Sequence, residues 1–125
     1  MKNIFISTTT FGQFSKAPLR ILKENNIKFV FNDKNRKLTH AELKNDIGKF
    51  DGVIAGTENY DSDIIDAAEK LKVISRVGVG IDNIDLNYAQ EKGIKVFKTQ
   101  TSPGLAVAEL SLGLILNLMR KIIKQ

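Results

Sequence analysis

Ten residues carry the clearest chemical signal in the chain: Arg76-Val77-Gly78-Val79-Gly80-Ile81-Asp82-Asn83-Ile84-Asp85. Two glycines separated by one residue let a backbone turn tightly, and without a Cβ they let N–H groups come close to an anion. Arg76 adds a full positive charge at the end of an apolar run, and the helix expected after Asp85 adds the positive end of its dipole. A carboxylate or phosphate suits such a loop. The same spacing fits a purely structural turn equally well, with Arg76 clamped to Asp82 or Asp85. The motif lacks the third glycine of a dinucleotide fingerprint and follows the fourth apolar run instead of opening the first βα unit. It is therefore not read as an NAD pyrophosphate site.

Other chemistry-bearing residues are few. The chain has no cysteine and one histidine, which excludes a disulfide framework and a thiolate or clustered-histidine metal site. His40 sits in Thr39-His40-Ala41-Glu42, the spacing of a capping box at a polar helix start, and is read as a solvated surface residue and not as a general base. Ser7 to Thr10 can hydrogen-bond a substrate or simply form a turn. Phe11 and Phe14 are expected to cover a sheet edge.

Five short runs rich in Ile, Val or Phe alternate with amphipathic stretches, the pattern of a parallel sheet covered by helices. Strands are expected at Asn3–Ser7, Ile27–Phe31, Gly52–Ala55, Val73–Arg76 and Lys95–Phe97. Helices follow Ser15 and Pro18 up to Glu24, follow Thr39 up to about Ile47, and span Asp63–Glu69 and Leu86–Glu91, where Asp61, Ser62 and Asp85 are caps. Gly93 suits a left-handed helix terminus. The class is α/β: a flavodoxin-like, doubly wound sheet of order 2-1-3-4-5 with a long C-terminal helix, its ligands lying beyond the carboxyl ends of the strands.

At 125 residues and 42% hydrophobic content the chain suits one core and one domain. Its net charge of +5 comes from basic residues scattered along the sequence with no nucleic-acid motif, so it is read as a solvated surface. The start, MKNIFIST, has no signal-peptide pattern, and Leu110 to Met119 is too short to span a bilayer; a cytoplasmic location is expected.

The run LKVISRVGVGIDNIDLNYAQEKGIKVFKTQTSPGLAVAELSLGLILNLMRKI resembles the D-2-hydroxyacid dehydrogenases, within them the phosphoglycerate dehydrogenase branch, and DGVIAGTENYDSDIIDAAEKL is similar to that family's third strand and helix. The resemblance implies a substrate-binding lobe over residues 1–125, with the carboxylate of a small 2-hydroxy or 2-oxo acid held by Gly78, Val79 and Gly80. It implies a substrate contact for Arg76 and, in a complete enzyme, a cofactor-facing Val79. It further implies NAD as cofactor, bound by a Rossmann domain that this chain lacks. The family's catalytic arginine, glutamate and histidine belong to that missing part, so no catalytic residue is assigned and the chain alone is expected to bind no cofactor. Ala55-Gly56-Thr57-Glu58 stands where phosphoglycerate-specific members often carry an arginine, and Ala106 stands where a small polar residue is usual.

Two rival readings come from other classes. A receiver domain has the same strand count but needs paired acids after the first strand and an aspartate ending the third, where this chain has Ser7-Thr8-Thr9-Thr10 and Ala55-Gly56-Thr57. A stand-alone binding or dimerisation module without hydride chemistry is the other. The apolar band from Leu105 to Ile123 is too wide to bury against the lobe's own sheet, and a homodimer through it is expected. Its polar positions Glu109, Asn117, Arg120 and Lys121 fall on one side.

Overall fold

A computed structural model describes residues 2–122. Ile123, the last residue of the expected dimer surface, lies outside the described residues. The elements follow in strict alternation: β1 (Asn3–Ile6), α1 (Ala17–Glu24), β2 (Lys28–Phe31), α2 (His40–Ile47), β3 (Gly52–Ala55), α3 (Ser62–Ala67), β4 (Val73–Arg76), α4 (Leu86–Glu91), β5 (Lys95–Lys98) and α5 (Gly104–Arg120). The five strands are parallel in the order β2-β1-β3-β4-β5. This is the expected doubly wound topology. Reversal of winding direction after β2 puts α1 on one face of the sheet and α2, α3 and α4 on the other when each crossover is right-handed.

Register explains where the core forms. Phe5, Val53, Ile74 and Val96 stand side by side across β1, β3, β4 and β5, so their side chains share one face. Leu43 and Ile47 of α2, Ile64 and Ile65 of α3, and Ala89 of α4 close over them. Phe50 stacks on Phe5 with ring centroids 5.0 Å apart. The opposite face is thinner. Ile6 and Ile54 are buried there, yet α1 buries none of its residues, and Phe31 and Phe97 on that side stay exposed.

Local chemistry sets the helix starts. The Thr39 hydroxyl accepts from the Glu42 amide at 3.3 Å while the Glu42 carboxylate takes the Thr39 amide at 2.8 Å, a complete capping box. Asp61 and Asp85 cap α3 and α4 through the amides of Ile64 and Tyr88. Gly93 has φ +72°, the left-handed terminus its position suggests. Several boundaries differ from expectation, β2 starting one residue late at Lys28, α3 one residue early at Ser62 and β5 ending one residue late at Lys98. β1 stops one residue early because Ser7 turns into a buried polar cluster. α3 ends at Ala67, and Ala68 leaves helical geometry as its carbonyl accepts from Leu71. α1 is preceded by Lys16, which makes no side-chain cap, although Ser15 Oγ accepts from the Ala17 amide at 3.2 Å. Phe14, expected over a sheet edge, is 96% exposed and covers nothing.

Candidate functional site

The carboxyl ends of β1, β3 and β4 converge, as parallel strands of a doubly wound sheet must, and leave a cleft of about 270 Å³. Thr8, Thr9 and Thr10 line it after β1, Gly56, Thr57 and Glu58 after β3, and Arg76 and Val77 at the end of β4. Lys37 reaches it from the loop before α2. Of the residues singled out by sequence, Arg76 is thus in the cleft wall, and Gly78, Val79 and Gly80 continue the chain directly beyond Val77.

Beneath the cleft lies a buried polar cluster that sequence reading missed apart from Ser7. The Ser7 hydroxyl donates to Glu58 Oε2 at 2.9 Å and stands 3.0 Å from the Tyr60 hydroxyl. The Gly56 amide also approaches Glu58 Oε2, at 3.2 Å. A carboxylate buried to 3% exposure is tolerable only with such donors. Burial pushes the Tyr60 phenol above its ordinary pKa, with the Ser7 contact working the other way. Gly56 has to be glycine here: a Cβ would lie 2.9 Å from Glu58 Oε2 and 3.3 Å from Thr8 Cα.

Asn83 joins the loops. Its Nδ2 donates to the Glu58 carbonyl at 2.6 Å and the Gly56 carbonyl at 3.3 Å, its own carbonyl accepts from the Tyr60 amide at 2.7 Å, and its Oδ1 receives Arg76 Nε at 3.4 Å. The expected alternative for Arg76, a clamp to Asp82 or Asp85, does not form: its partners are Asn83 and the Val77 carbonyl, and Asp85 is occupied capping α4. The guanidinium is therefore held in place without being neutralised.

The two loop glycines play different parts. Gly78 has φ +139°, a backbone conformation that favours glycine, and a Cβ there would also displace the far end of the Arg76 side chain, whose Nη1 lies 2.7 Å away. Its amide donates to Thr99 Oγ1 at 3.1 Å and its carbonyl accepts from the Thr99 amide at 3.0 Å, which pins the loop to the segment after β5. Gly80 has ordinary φ, and the nearest atom to a Cβ would be Asp82 Oδ1 at 3.5 Å. The backbone N–H groups of Val79 and Gly80 have no acceptor among the described residues.

The family profile described as D-isomer specific 2-hydroxyacid dehydrogenase, catalytic domain, matches residues 6–112. The chain belongs to this family. It is 36% identical over 104 residues to the D-3-phosphoglycerate dehydrogenase of Homo sapiens, covering 82% of this chain and 19% of that enzyme. It is 46% identical over 87 residues to the enzyme of the same name from Methanocaldococcus jannaschii, covering 68% of this chain and 16% of that one. A crystal structure of NAD+-bound 3-phosphoglycerate dehydrogenase from Entamoeba histolytica superposes with a TM-score of 0.81 at 31% identity, over 99% of this chain and 41% of that one. The chain thus spans about a fifth of the length of the curated relatives it matches.

His40 lies away from this cleft, its Nε2 facing Asp61 Oδ2 at 3.1 Å on the surface between α2 and α3. Among the described residues no group of three His, Cys, Asp or Glu side chains is placed to hold a metal, and no helix is long and apolar enough to cross a membrane. Sequence reading missed Glu58, Asn83 and Lys37. The signal available for Glu58 was position alone, a polar residue three places past a buried strand, and Asn83 stood inside the Arg76–Asp85 motif with no role of its own to read.

Proposed function

We propose that this chain is the substrate-recognition lobe of an NAD-dependent D-2-hydroxyacid dehydrogenase of the phosphoglycerate type, and that Arg76 with the Gly78–Gly80 loop holds the carboxylate of a small 2-hydroxy or 2-oxo acid. The observation that carries this reading is the pair of N–H groups at Val79 and Gly80, both without acceptors, following a guanidinium held unneutralised by Asn83. Two backbone donors and a cation form a charge-assisted cradle for one carboxylate. Gly78 contributes shape, since its own amide is taken by Thr99. Gly80, which the fold does not need as glycine, leaves the anion free to come close.

In the complete enzyme a bound NAD would supply the hydride chemistry. This chain's share in its site is Val79, an apolar side chain 36% exposed beside the carboxylate donors and fit to meet a flat ring. The residues here orient the acid and provide no proton donor at the reacting carbon; the chain alone carries no catalytic residue in this reading.

Association is part of the same proposal. α5 buries none of its residues, and Leu105, Leu118 and Met119 are each more than 70% exposed, so a homodimer through Leu105–Ile123 is the simplest way to cover that face. A location in the cytoplasm, and contact with neither nucleic acid nor membrane, complete it.

The test is kinetic. In a complete enzyme carrying this lobe, Gly80→Val and Arg76→Ala each raise KM for the hydroxy acid or abolish turnover while NAD affinity changes little. Wild-type kinetics in both variants would return the loop to a structural turn.

A further inference from the structure

We propose that Glu58 is a specificity-determining residue of the cleft: its Oε1 accepts a hydrogen bond from a hydroxyl on the third carbon of the bound acid, so that the cleft selects 2,3-dihydroxy or 3-hydroxy-2-oxo acids and disfavours a phosphate ester at that carbon. The inference rests on the reading of Arg76 and the Val79 and Gly80 amides as the site of the acid's own carboxylate.

Glu58 lines the cleft and is nevertheless almost fully buried, so its carboxylate is held by the fold and not by solvent. One oxygen is fully employed. Oε2 takes the Ser7 hydroxyl at 2.9 Å and the Gly56 amide at 3.2 Å, while the backbone carbonyl of the same residue takes Asn83 Nδ2 at 2.6 Å. Oε1 has no donor among the described residues. Since no side-chain oxygen sealed from solvent among those residues lacks a partner, Oε1 is open, and the opening that Glu58 lines is the cleft. A rigid acceptor with one unmatched oxygen in a cleft wall suits a ligand that brings a donor.

One side chain ties this acceptor to the carboxylate site. Asn83 gives Nδ2 to the Glu58 carbonyl and receives Arg76 Nε on Oδ1 at 3.4 Å, so Glu58 and Arg76 are joined across a single amide group. A ligand whose carboxylate sits on Arg76 therefore presents its next two carbons to the same wall. The second carbon cannot supply the donor throughout, because its oxygen carries a proton in the 2-hydroxy acid and none in the 2-oxo acid. A hydroxyl on the third carbon persists in both. A phosphate ester there would replace that donor with a charge of the same sign as Glu58, which Ser7 and Gly56 keep from swinging away. Lys37, the remaining cation of the wall, is an exposed side chain that can turn to water and does not offset a fixed carboxylate.

The experiment is a titration of the isotope-labelled 125-residue chain with D-glycerate, D-lactate and 3-phospho-D-glycerate, followed by the amide resonances of Val79 and Gly80. D-lactate lacks the third-carbon hydroxyl and uses the carboxylate site alone. D-glycerate is expected to bind about tenfold or more tightly than either of the others, the worth of one hydrogen bond to a charged acceptor. In Glu58→Gln the amide oxygen has to stay on the Ser7 and Gly56 donors, which turns the N–H groups to the cleft. This variant is expected to cut the lead over D-lactate by about threefold or more, to abolish or reverse the lead over 3-phospho-D-glycerate, and to leave D-lactate affinity unchanged. A wild-type chain that binds D-lactate or 3-phospho-D-glycerate as tightly as D-glycerate overturns the proposal without any variant. Ratios untouched by Glu58→Gln overturn it too, as does a variant that weakens D-lactate as much as D-glycerate, since Glu58 would then only support the loops; the carboxylate site stands in each case. If none of the three acids shifts either amide, the carboxylate site itself is refuted and this inference with it.

Discussion

The Arg76 side chain lies over Gly78: a Cβ on Gly78 would stand 2.7 Å from Arg76 Nη1 and 3.2 Å from its Cζ and would push the guanidinium aside. The guanidinium folds back over the turn and gives a hydrogen bond to the Val77 carbonyl between them. Gly78→Ala is expected to destabilise the chain by about 1–3 kcal/mol, chiefly through its positive φ. Gly80→Ala, with ordinary φ and open space, is expected to stay within about 0.5 kcal/mol of wild type. Urea unfolding of the two variants checks this, and equal losses would contradict the division of labour between the glycines.

Ser7 satisfies two buried groups at once. Ser7→Ala removes the donor to Glu58 and the partner of the Tyr60 hydroxyl, and should cost about 1–3 kcal/mol, the range for leaving a buried polar group unmatched. The readout is the denaturation midpoint at unchanged slope. A loss below about 0.5 kcal/mol would mean that water replaces the hydroxyl.

The Arg36–Glu42 pair makes a pH-dependent contribution. Hydrogen bonding to Arg36 lowers the Glu42 pKa from 4.5 to about 2. A depressed carboxylate stabilises the fold fully above its unfolded pKa, and the contribution disappears as pH falls through the folded value. Wild type and Glu42→Gln should thus differ in melting temperature above pH 4.5 and converge towards pH 2. Because the pair is exposed, the difference should shrink in high salt. A gap that persists at the acid end would assign it to something other than this charge.

Hydride chemistry is expected to be undetectable in the isolated chain. No dinucleotide fingerprint occurs in the sequence, and its one histidine faces Asp61 on the surface, away from the cleft. Saturable NADH binding by calorimetry, or turnover of any 2-hydroxy acid above a blank, would contradict this.

α5 is 17 residues long, roughly 26 Å at about 1.5 Å per residue, and none of it is buried. Sedimentation at micromolar concentration should show a dimer or larger assembly, and Leu116→Lys with Met119→Lys should reduce it to a species near 13.9 kDa. A wild-type chain sedimenting at that mass would rule out self-association, and a dimer indifferent to both lysines would move the interface elsewhere.

Much of this protein is local and was therefore written in the sequence. Strands appear as short apolar runs because parallel strands are buried on both faces, and α2, α3 and α4 begin where Thr39, Asp61 and Asp85 meet the amides three residues ahead. The 2-1-3-4-5 order is one of the few that alternation and right-handed crossovers allow, and the tertiary structure selects it. What depended on distance in sequence was invisible. Ser7 meets Glu58 and Tyr60 from 51 and 53 positions away, and nothing in the spacing of a serine and a glutamate announces a shared burial. Gly78 and Gly80 look alike in a motif; only folding gives the first a positive φ and a bond to Thr99 and leaves the second with a free amide. Lys37 is one of many scattered lysines until Asn32 and Arg36 bring its loop to the cleft that Arg76 lines. Capping and strand burial depend on neighbours a few residues apart, whereas a cleft is made by loops that only the closed sheet brings together.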